Sequence, residues 1–485
     1  MEVPVVVLDT HGKPVVGLKR DDFELLQDRD KQNLAVFEEI RTTKERVQYR
    51  PGAPGVYDNQ VIGSAAGKRL TIIVLDTLNT AFPDQAYARS ELIKYLSREV
   101  IQDEPVALLT ISSGGTRVLH DFTEDPKVLI AVLKRFDGKL PMSEVVGASL
   151  YQSLYQNLEF QHQVATLPTR IDATLQALQH ISQAFAAIPG RKSLIWISGG
   201  IPFQTEEPVG LNRFGGRNWE PTTTRDFRLL YSQTFQALNQ ANVAVYPVDP
   251  RGVTGTHNIA YSNPRAGMQV LADMTGGRFF SENNDLSGLF QKAADDCADY
   301  YMLAYYLPAD LKPGWHELKV KVTGSGRAAR ARNGFFTVAP PKGEKEVAER
   351  RRLEIDMALV SPLNYTSLPI AVRWLGAPSG SGASKTARFQ ISVAPSGIFA
   401  DESQNNAMNL EFVAVVRDGR GKDVDHFGQH IEGNLKPAIL TRLRQEGLNY
   451  NNAVVVTPGD YQVRFVVRDN LTGRTGSVLA PLKVQ

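Results

Sequence analysis

Leu70–Thr80 reads LTIIVLDTLNT, in which four consecutive apolar residues, Ile72–Leu75, run into Asp76 and are followed by side chains rich in oxygen. Short continuous runs of this kind, bounded by a turn-forming residue, are typical of strands buried on both faces of a mainly parallel sheet. Three more follow: VALLTI (Val106–Ile111), SLIWIS (Ser193–Ser198) and VAVYPVD (Val243–Asp249). Helical patterns lie between them. Leu92, Ile93, Leu96 and Val100 share one face, and Ile171, Leu175, Leu178, Ile181 and Phe185 recur at spacings of three and four. Strand alternating with helix predicts an open, doubly wound α/β sheet over residues 68–299. RVLHDF (Arg117–Phe122) is separated from VALLTI only by SSGGT, too short for a parallel crossover, so an antiparallel edge hairpin is expected there. A last helix is expected over about Leu286–Ala298.

The flanks have a different grammar. Residues 1–60 alternate short β-rich runs with Asp, Gly and Lys turns, and residues 300–340 return to strands, which together predict one antiparallel β-sandwich into which the α/β region is inserted. APPKGEKEVAERRR (Ala339–Arg352) combines Pro, Gly and dense charge, so residues 341–352 are expected to be a linker. Residues 353–485 read as a second, immunoglobulin-like β-sandwich. One phrase recurs in these flanks: VVVLDTHGKPV (Val5–Val15), AVVRDGRGKDV (Ala414–Val424) and, more loosely, VVRDNLTGRTG (Val466–Gly476). Its aspartates, Asp9, Asp418 and Asp469, suit hairpin turns in which a carboxylate accepts turn N–H groups; Ca²⁺ ligation is the alternative.

The chain has 485 residues, 42% of them apolar and 22% charged, which is ordinary for a globular protein of two or three domains. Fifty-four basic against fifty-two acidic residues leave a net charge of +2, which gives no bulk electrostatic case for nucleic acid or a membrane surface. A single cysteine, Cys297, excludes an intrachain disulfide and a thiolate metal cluster, and its neighbours KAADDCADYY suit a small buried residue better than a nucleophile. No stretch is long and apolar enough to span a bilayer. The N-terminus, MEVPVVVLDTHG, lacks a leader of secretory type and opens as if inside a strand, so further residues upstream are expected.

Taken together, VVVLDTHGKPVVGLKRDDFELLQD, IIVLDTLNT, IPGRKSLIWISGGIPF and YYMLAYYLP resemble the von Willebrand factor A (VWA) domain, and more narrowly the acidobacterial VWFA-related family, over about residues 3–340. The resemblance implies a VWA-type doubly wound sheet and a non-enzymatic protein of the bacterial cell envelope, periplasm or exterior. Its expected work is adhesion to a protein or cell-envelope ligand, with neither nucleic acid nor a transmembrane segment involved. It also implies a metal-ion-dependent adhesion site (MIDAS) built on Asp-x-Ser-x-Ser, a loop threonine and an aspartate after the fourth strand. Asp76 and Thr80 match the first and last positions of that pattern. Leu78 stands where the middle serine belongs, and Gly199 where the second aspartate is expected; Thr166 and Thr169 are the candidates for the loop threonine. Mg²⁺ wants six oxygens and at least one carboxylate, so the expectation is a degenerate site. Asp76 and Thr80 are its candidate ligands for Mg²⁺ or another divalent cation, and the alternative is no cofactor at all. Asp249 adds a carboxylate only if its loop swings toward the first strand. Without a metal, Asp76 and Asn79 would serve to hydrogen-bond neighbouring loops and helix starts.

The candidate binding face is the carboxyl end of the strands, where open α/β sheets take their ligands. It comprises the loops Asp76–Thr80, Ser112–Thr116 and Ser198–Phe203, with Asp76, Asn79, Thr80, Ser112, Ser198 and Gly199 as the residues expected to carry it. A structural envelope scaffold without a discrete site, or a metal-dependent enzyme on a similar sheet, are the rival readings. Other motifs are weaker. No helix-opening GxGxxG follows the first strand, and SGSGASKT (Ser379–Thr386) lacks the Gly before Lys that a phosphate loop needs, so a hairpin loop is expected. In DVDHFGQHIEG, His426 and His430 sit four apart beside Asp423 and Asp425, but Gly428 argues against a metal-binding helix and favours solvated loop side chains.

Overall fold

The computed structural model describes residues 1–41, 53–60, 70–98, 104–136, 152–201, 227–253, 259–296, 299–308, 310–339, 341–380, 383–400 and 406–485. Val100, Cys297 and Phe203 lie outside these. The chain divides into two compact units, residues 1–46, 66–179 and 190–339 in the first, and residues 47–65, 180–189 and 340–485 in the second.

The first unit opens with β1 (Glu2–Leu8), β2 (Phe23–Gln27), β3 (Asp30–Gln32) and β4 (Val36–Ile40). A short strand, β5 (Val56–Asp58), belongs to the second unit. The α/β region then runs β6 (Leu70–Asp76), α1 (Phe82–Leu96), β7 (Val106–Ser112), β8 (Gly115–Thr123), α2 (Pro126–Arg135), α3 (Gln152–Ala184), β9 (Lys192–Ile197), α4 (Arg228–Gln240), β10 (Val243–Val248), α5 (Ile259–Thr275) and α6 (Leu286–Asp295). After it come β11 (Tyr300–Ala304), β12 (Gly314–Val322), β13 (Ala328–Arg330) and β14 (Gly334–Thr337).

Strand order in the five-stranded sheet is β10-β9-β6-β7-β8, parallel except for β8, which doubles back on β7 as the short SSGGT link requires. All residues of β6, β9 and β10 are buried, which is why their sequences are apolar without alternation. On one face Ile73, Leu75 and Ile195 meet Leu92 and Tyr95 of α1, Leu129 and Leu133 of α2, and Leu289 and Phe290 of α6 in a single cluster. Ile72, Val74 and Asp76 alternate to the other face. The helices start where the sequence can satisfy their free N–H groups: Asp125 accepts from Lys127 N at α2, and Asp285 from Gly288 N at α6. α6 ends at Asp295, three residues short of the expected limit.

Strands before and after this region close on each other. β1 pairs antiparallel with β11 from Glu2↔Ala304, and β2 with β12 from Gln27↔Leu318. Two four-stranded sheets result, β13-β1-β11-β4 and β14-β12-β2-β3, and they share a core of Val3, Val5, Val7, Phe23, Leu25, Tyr301, Leu303 and Leu318.

The second unit carries α7 (Gly343–Val360), β15 (Ile370–Trp374), β16 (Lys385–Val393), β17 (Ala407–Asp418), β18 (Asp423–Asn434), α8 (Pro437–Glu446), β19 (Leu448–Val456), β20 (Gly459–Asp469) and β21 (Thr475–Val484). Sheets β19-β16-β15-β5 and β18-β17-β20-β21 enclose Val372, Phe389, Ile391, Phe412, Val463, Phe465 and Val478. Two segments differ from the sequence reading. Residues 56–58, grouped there with the first β segment, pair with β15, and the adjacent Asn59 fixes them by donating to Tyr365 O and Leu368 O and accepting from Ile370 N. Most of the expected linker is helix α7, whose composition looks like a spacer because its first turns are exposed all round; Glu344 and Glu346 sit in the first turn, and Arg350–Glu354 and Arg352–Asp356 pair one turn apart.

The repeated turn phrase has one physical basis. Asp9 Oδ1 accepts from His11 N and Lys13 N, Asp418 Oδ1 from Arg420 N and Lys422 N, and Asp469 Oδ1 from Leu471 N. Of SGSGASKT, Ser379 bridges Thr386 at the start of β16, residues 381–382 lie outside the described residues, and His426 and His430 lie on β18 as exposed strand residues rather than in a loop.

His180 is buried in the second unit, its Nδ1 2.7 Å from the Tyr365 hydroxyl. Burial, reinforced by the Arg464 charge, lowers its pKa from 6.5 to about 4. The folded state therefore holds this imidazole neutral where the unfolded chain would protonate it. Stability is full above the unfolded pKa and falls as pH drops from about 6.5 toward 4, by roughly 3 kcal/mol in total. Urea denaturation across that window is expected to show a shallower acid slope for His180→Gln than for the parent.

Candidate functional site

The chain leaves β6 toward β7 on one side, whereas β9 leads to β10 on the other, so the strand order reverses between β6 and β9. Ligands of open α/β sheets bind in the crevice that such a reversal opens at the carboxyl ends. Here the loops that follow β6 and β9 are tied to each other across it.

Asp76, the last residue of β6, is 2% exposed. Its Oδ1 accepts from Leu78 N (3.1 Å) and Asn79 N (3.0 Å), the local turn that an aspartate at a strand end favours. Its Oδ2 accepts from Asn79 Nδ2 (2.8 Å), Trp196 Nε1 (3.1 Å) and Ser198 Oγ (2.7 Å). Burial raises the Asp76 pKa, while the bonds from Asn79 and Ser198 and the Arg170 charge pull it down. Five donors around two oxygens leave an ionised carboxylate no unfilled direction.

Asn79 extends the network. Its Nδ2 also donates to Thr174 Oγ1 (2.8 Å), and its Oδ1 accepts from Arg170 Nε (3.0 Å). Arg170 and Thr174 are one turn apart on α3, and Thr174 Oγ1 donates to Arg170 O. Burial lowers the Arg170 pKa and the Asp76 charge raises it, so a guanidinium acts as the counter-cation of the buried carboxylate.

Thr80 Oγ1 accepts from Gly199 N (3.1 Å), which ties the β6 loop to the β9 loop. The approach is close enough that a Cβ on Gly199 would lie 2.3 Å from Asn79 O. Gly200, at φ +83°, is similarly enclosed, with Met268 Sδ and Pro264 O each 2.8 Å from where its Cβ would be. On the other side Thr77 N and Oγ1 both donate to Ile111 O, joining the β6 loop to β7.

Of the residues expected at the site, the structure thus joins Asp76, Asn79, Thr80, Ser198 and Gly199. Ser112 stays apart: its Oγ donates to Gly115 O and accepts from Gly114 N, which shapes the β7–β8 turn. Asp249 does not reach toward β6 either. It is fully buried and held by Arg251 (2.7 and 2.8 Å) and Arg265 (2.8 Å), with Glu282 on the far side of Arg265. Thr166 and Thr169 are residues of helix α3 and not of a loop. Among the described residues no three His, Cys, Asp or Glu side chains gather as a metal cluster would need.

Trp196, Arg170 and Thr174 were not singled out from the sequence. Trp196 and Ser198 are two apart on a strand and so share a face, a signal visible in SLIWIS. Nothing in the sequence ties Arg170 to a residue ninety-one positions earlier.

No family model matches the chain, and no curated protein matches it. Solved structures that match include VWA domains. The VWA domain of SpRpn10 shares 12% identity over 46% of this chain and 95% of its own, at a TM-score of 0.22. The ArnB paralog VWA2 from Sulfolobus acidocaldarius shares 10% over 95% of this chain and 75% of its own, at 0.24. The pilus adhesin SpaC from Lactobacillus rhamnosus GG shares 10% over 92% of this chain, at 0.30, and this chain spans 57% of the adhesin's length. Superpositions this loose decide nothing about what the chain does.

Asp76→Ala is expected to strip the acceptor from the Trp196 indole and the Asn79 N–H groups at once, destabilising the first unit by about 3 kcal/mol or more in urea denaturation. Asp76→Asn, which keeps one acceptor oxygen, is expected to lose less.

Proposed function

We propose that the first unit carries a VWA-type, non-enzymatic recognition domain. Its carboxyl-end loops bind a protein or cell-envelope ligand, and its metal-ion-dependent adhesion site is degenerate. The sheet order with its single antiparallel edge strand and the aspartate closing the first central strand support the VWA reading. The observation that carries the rest is the saturation of Asp76. A divalent cation requires a carboxylate with free lone pairs, and here five protein donors take them. Thr80, the other candidate ligand, is engaged by Gly199 N, while Leu78 and Gly199 bring no side-chain oxygen. The donor set does not fit Mg²⁺, and Arg170 supplies the positive charge instead.

What remains, among the described residues, is a β6 loop tied to β7 and to Gly199 before any partner arrives. Preorganised loops spare the entropy that binding would otherwise spend in ordering them, which suits recognition of a macromolecule. Among the described residues no helix is long and apolar enough to cross a membrane. A scaffold role would use the same fold with no sensitivity at single residues of the loops.

That difference gives the test. Immobilised parent protein is expected to retain protein from a purified bacterial cell-envelope fraction. Gly199→Ala, which forces the two loops apart, and Gly114→Glu, at the exposed β7–β8 turn, are each expected to reduce retention at least fivefold, whereas Glu317→Lys on exposed β12 leaves it unchanged. EDTA and added Mg²⁺, Mn²⁺ or Ca²⁺ are expected to alter neither retention nor the melting temperature. Equal retention by all variants would support the scaffold, and a cation-dependent melt that disappears in Asp76→Asn would restore the metal.

A further inference from the structure

Strand β12 reads GWHELKVKV, and its residues alternate between the core and the outside. His316 and Leu318 are buried, while Trp315, Glu317, Lys319 and Lys321 share the outer face. Trp315 pairs across the sheet with Phe336 of β14, and Glu317 pairs with Gly334. The indole reaches diagonally over that glycine: its Cζ2 and Cη2 occupy the place where a Cβ on Gly334 would sit. The ring therefore lies across the sheet, with backbone beneath it. Phe336 buttresses it at a centroid distance of 5.1 Å and is itself stacked on Phe235 of α4. Trp315 is still 42% exposed, and its Nε1 has no hydrogen-bond partner among the described residues.

Charge along the same row narrows what can rest there. Lys321 is held by Glu24 (3.1 Å), but neither Glu317 nor Lys319 has an ion-pair partner among the described residues. At about 3.4 Å per residue, Glu317 lies roughly 7 Å along the strand from Trp315 and Lys319 as far again. One exposed acceptor and one exposed donor of opposite charge favour a neutral ligand that carries donors and acceptors at intervals. A polynucleotide would stack on the indole, yet it brings a phosphate with every base and finds in this row one cation not already paired. A quaternary ammonium wants several ring faces around it, and one face of Phe336 is taken by Phe235. An apolar protein anchor seeks uncharged neighbours, whereas the next two outward positions are charged. A pyranose ring meets each demand: its C–H face is slightly positive, the indole face is negative, and its rim is hydroxyl.

We propose that the outer face of β12 binds a neutral oligosaccharide, with one pyranose ring stacked on Trp315 and the hydroxyls of the following residues bonded to Glu317 and Lys319. Gly334 makes the platform, because any side chain there would lift the indole off the sheet. This site is separate from the carboxyl-end loops and takes a different class of ligand.

The test follows the four indole N–H signals of the full chain by heteronuclear NMR, Trp315 being identified by the signal lost in Trp315→Phe. The probes are cellotetraose, tetra-N-acetylchitotetraose and the amide of acetyl-tetraproline. At least one sugar is expected to move the Trp315 signal alone, saturably, and the peptide to leave it in place. Calorimetry is expected to show sugar binding abolished in Trp315→Ala and weakened at least threefold in Lys319→Met and in Glu317→Lys, with unchanged melting temperatures. Retention of envelope protein by the loops is expected to be equal in the parent and Trp315→Ala, so failure at one site leaves the other standing. No shift with either sugar, a shift with the peptide as large as with the sugars, or undiminished sugar binding in both charge variants would each overturn the proposal.

Discussion

A carboxylate taken out of water must be neutralised or fully hydrogen-bonded, and Asp76 at the centre of the sheet meets that demand by recruiting its surroundings. Two backbone N–H groups come from its own loop, an amide from Asn79, an indole and a hydroxyl from β9. Through Asn79 the same network reaches Arg170 and Thr174 on α3. Three elements that would otherwise diverge at the switch in strand order are thereby held at fixed separations. Loop conformation at this end of the sheet is a consequence of solvating one charge.

Asp249 meets the same demand by another route. It closes β10 at the same end of the sheet and is likewise buried, but its solvation comes from two arginines and not from neutral donors. Hydrogen bonds to neutral groups fix direction closely, whereas a pair of guanidinium groups mainly supplies charge. Both solutions consume acidic groups that a cation-binding face would need to expose. Among the described residues at this end of the sheet, Asp76 and Asp249 both have their charge settled within the protein.

Much of the fold is legible because burial on both faces leaves a plain trace. LTIIVLD, SLIWIS and VAVYPVD have no alternation to misread, and the spacing of Ile171, Leu175, Leu178 and Ile181 matches their complete burial on α3. The Asp-turn phrase is legible for a similar reason, since a carboxylate accepting from N–H groups two and four residues ahead is a local interaction. α7 was not, because a helix whose first turns face solvent on all sides carries no apolar period and looks like a spacer. Asp76, Asn79 and Thr80 are legible as neighbours because they lie in one short stretch, and Ser198 and Gly199 because they directly follow a strand. Arg170 escaped because its pairing with Asn79 depends on where a long helix happens to dock. The two residues whose side chains lack oxygen, Leu78 and Gly199, were as informative as those that have it.

Gly199 also governs what this face can become. A metal-binding version would want an oxygen-bearing side chain at 199, yet even a methyl group there meets the Asn79 carbonyl. Serine at position 78 alone adds a hydroxyl beside a carboxylate already fully engaged. Any path toward cation binding must first unlatch the two loops, which means passing through a protein with a broken Asp76 network and nothing yet in its place. The absence of a side chain at one position therefore works as a latch, keeping the β6 and β9 loops at the separation on which the Asp76 network depends.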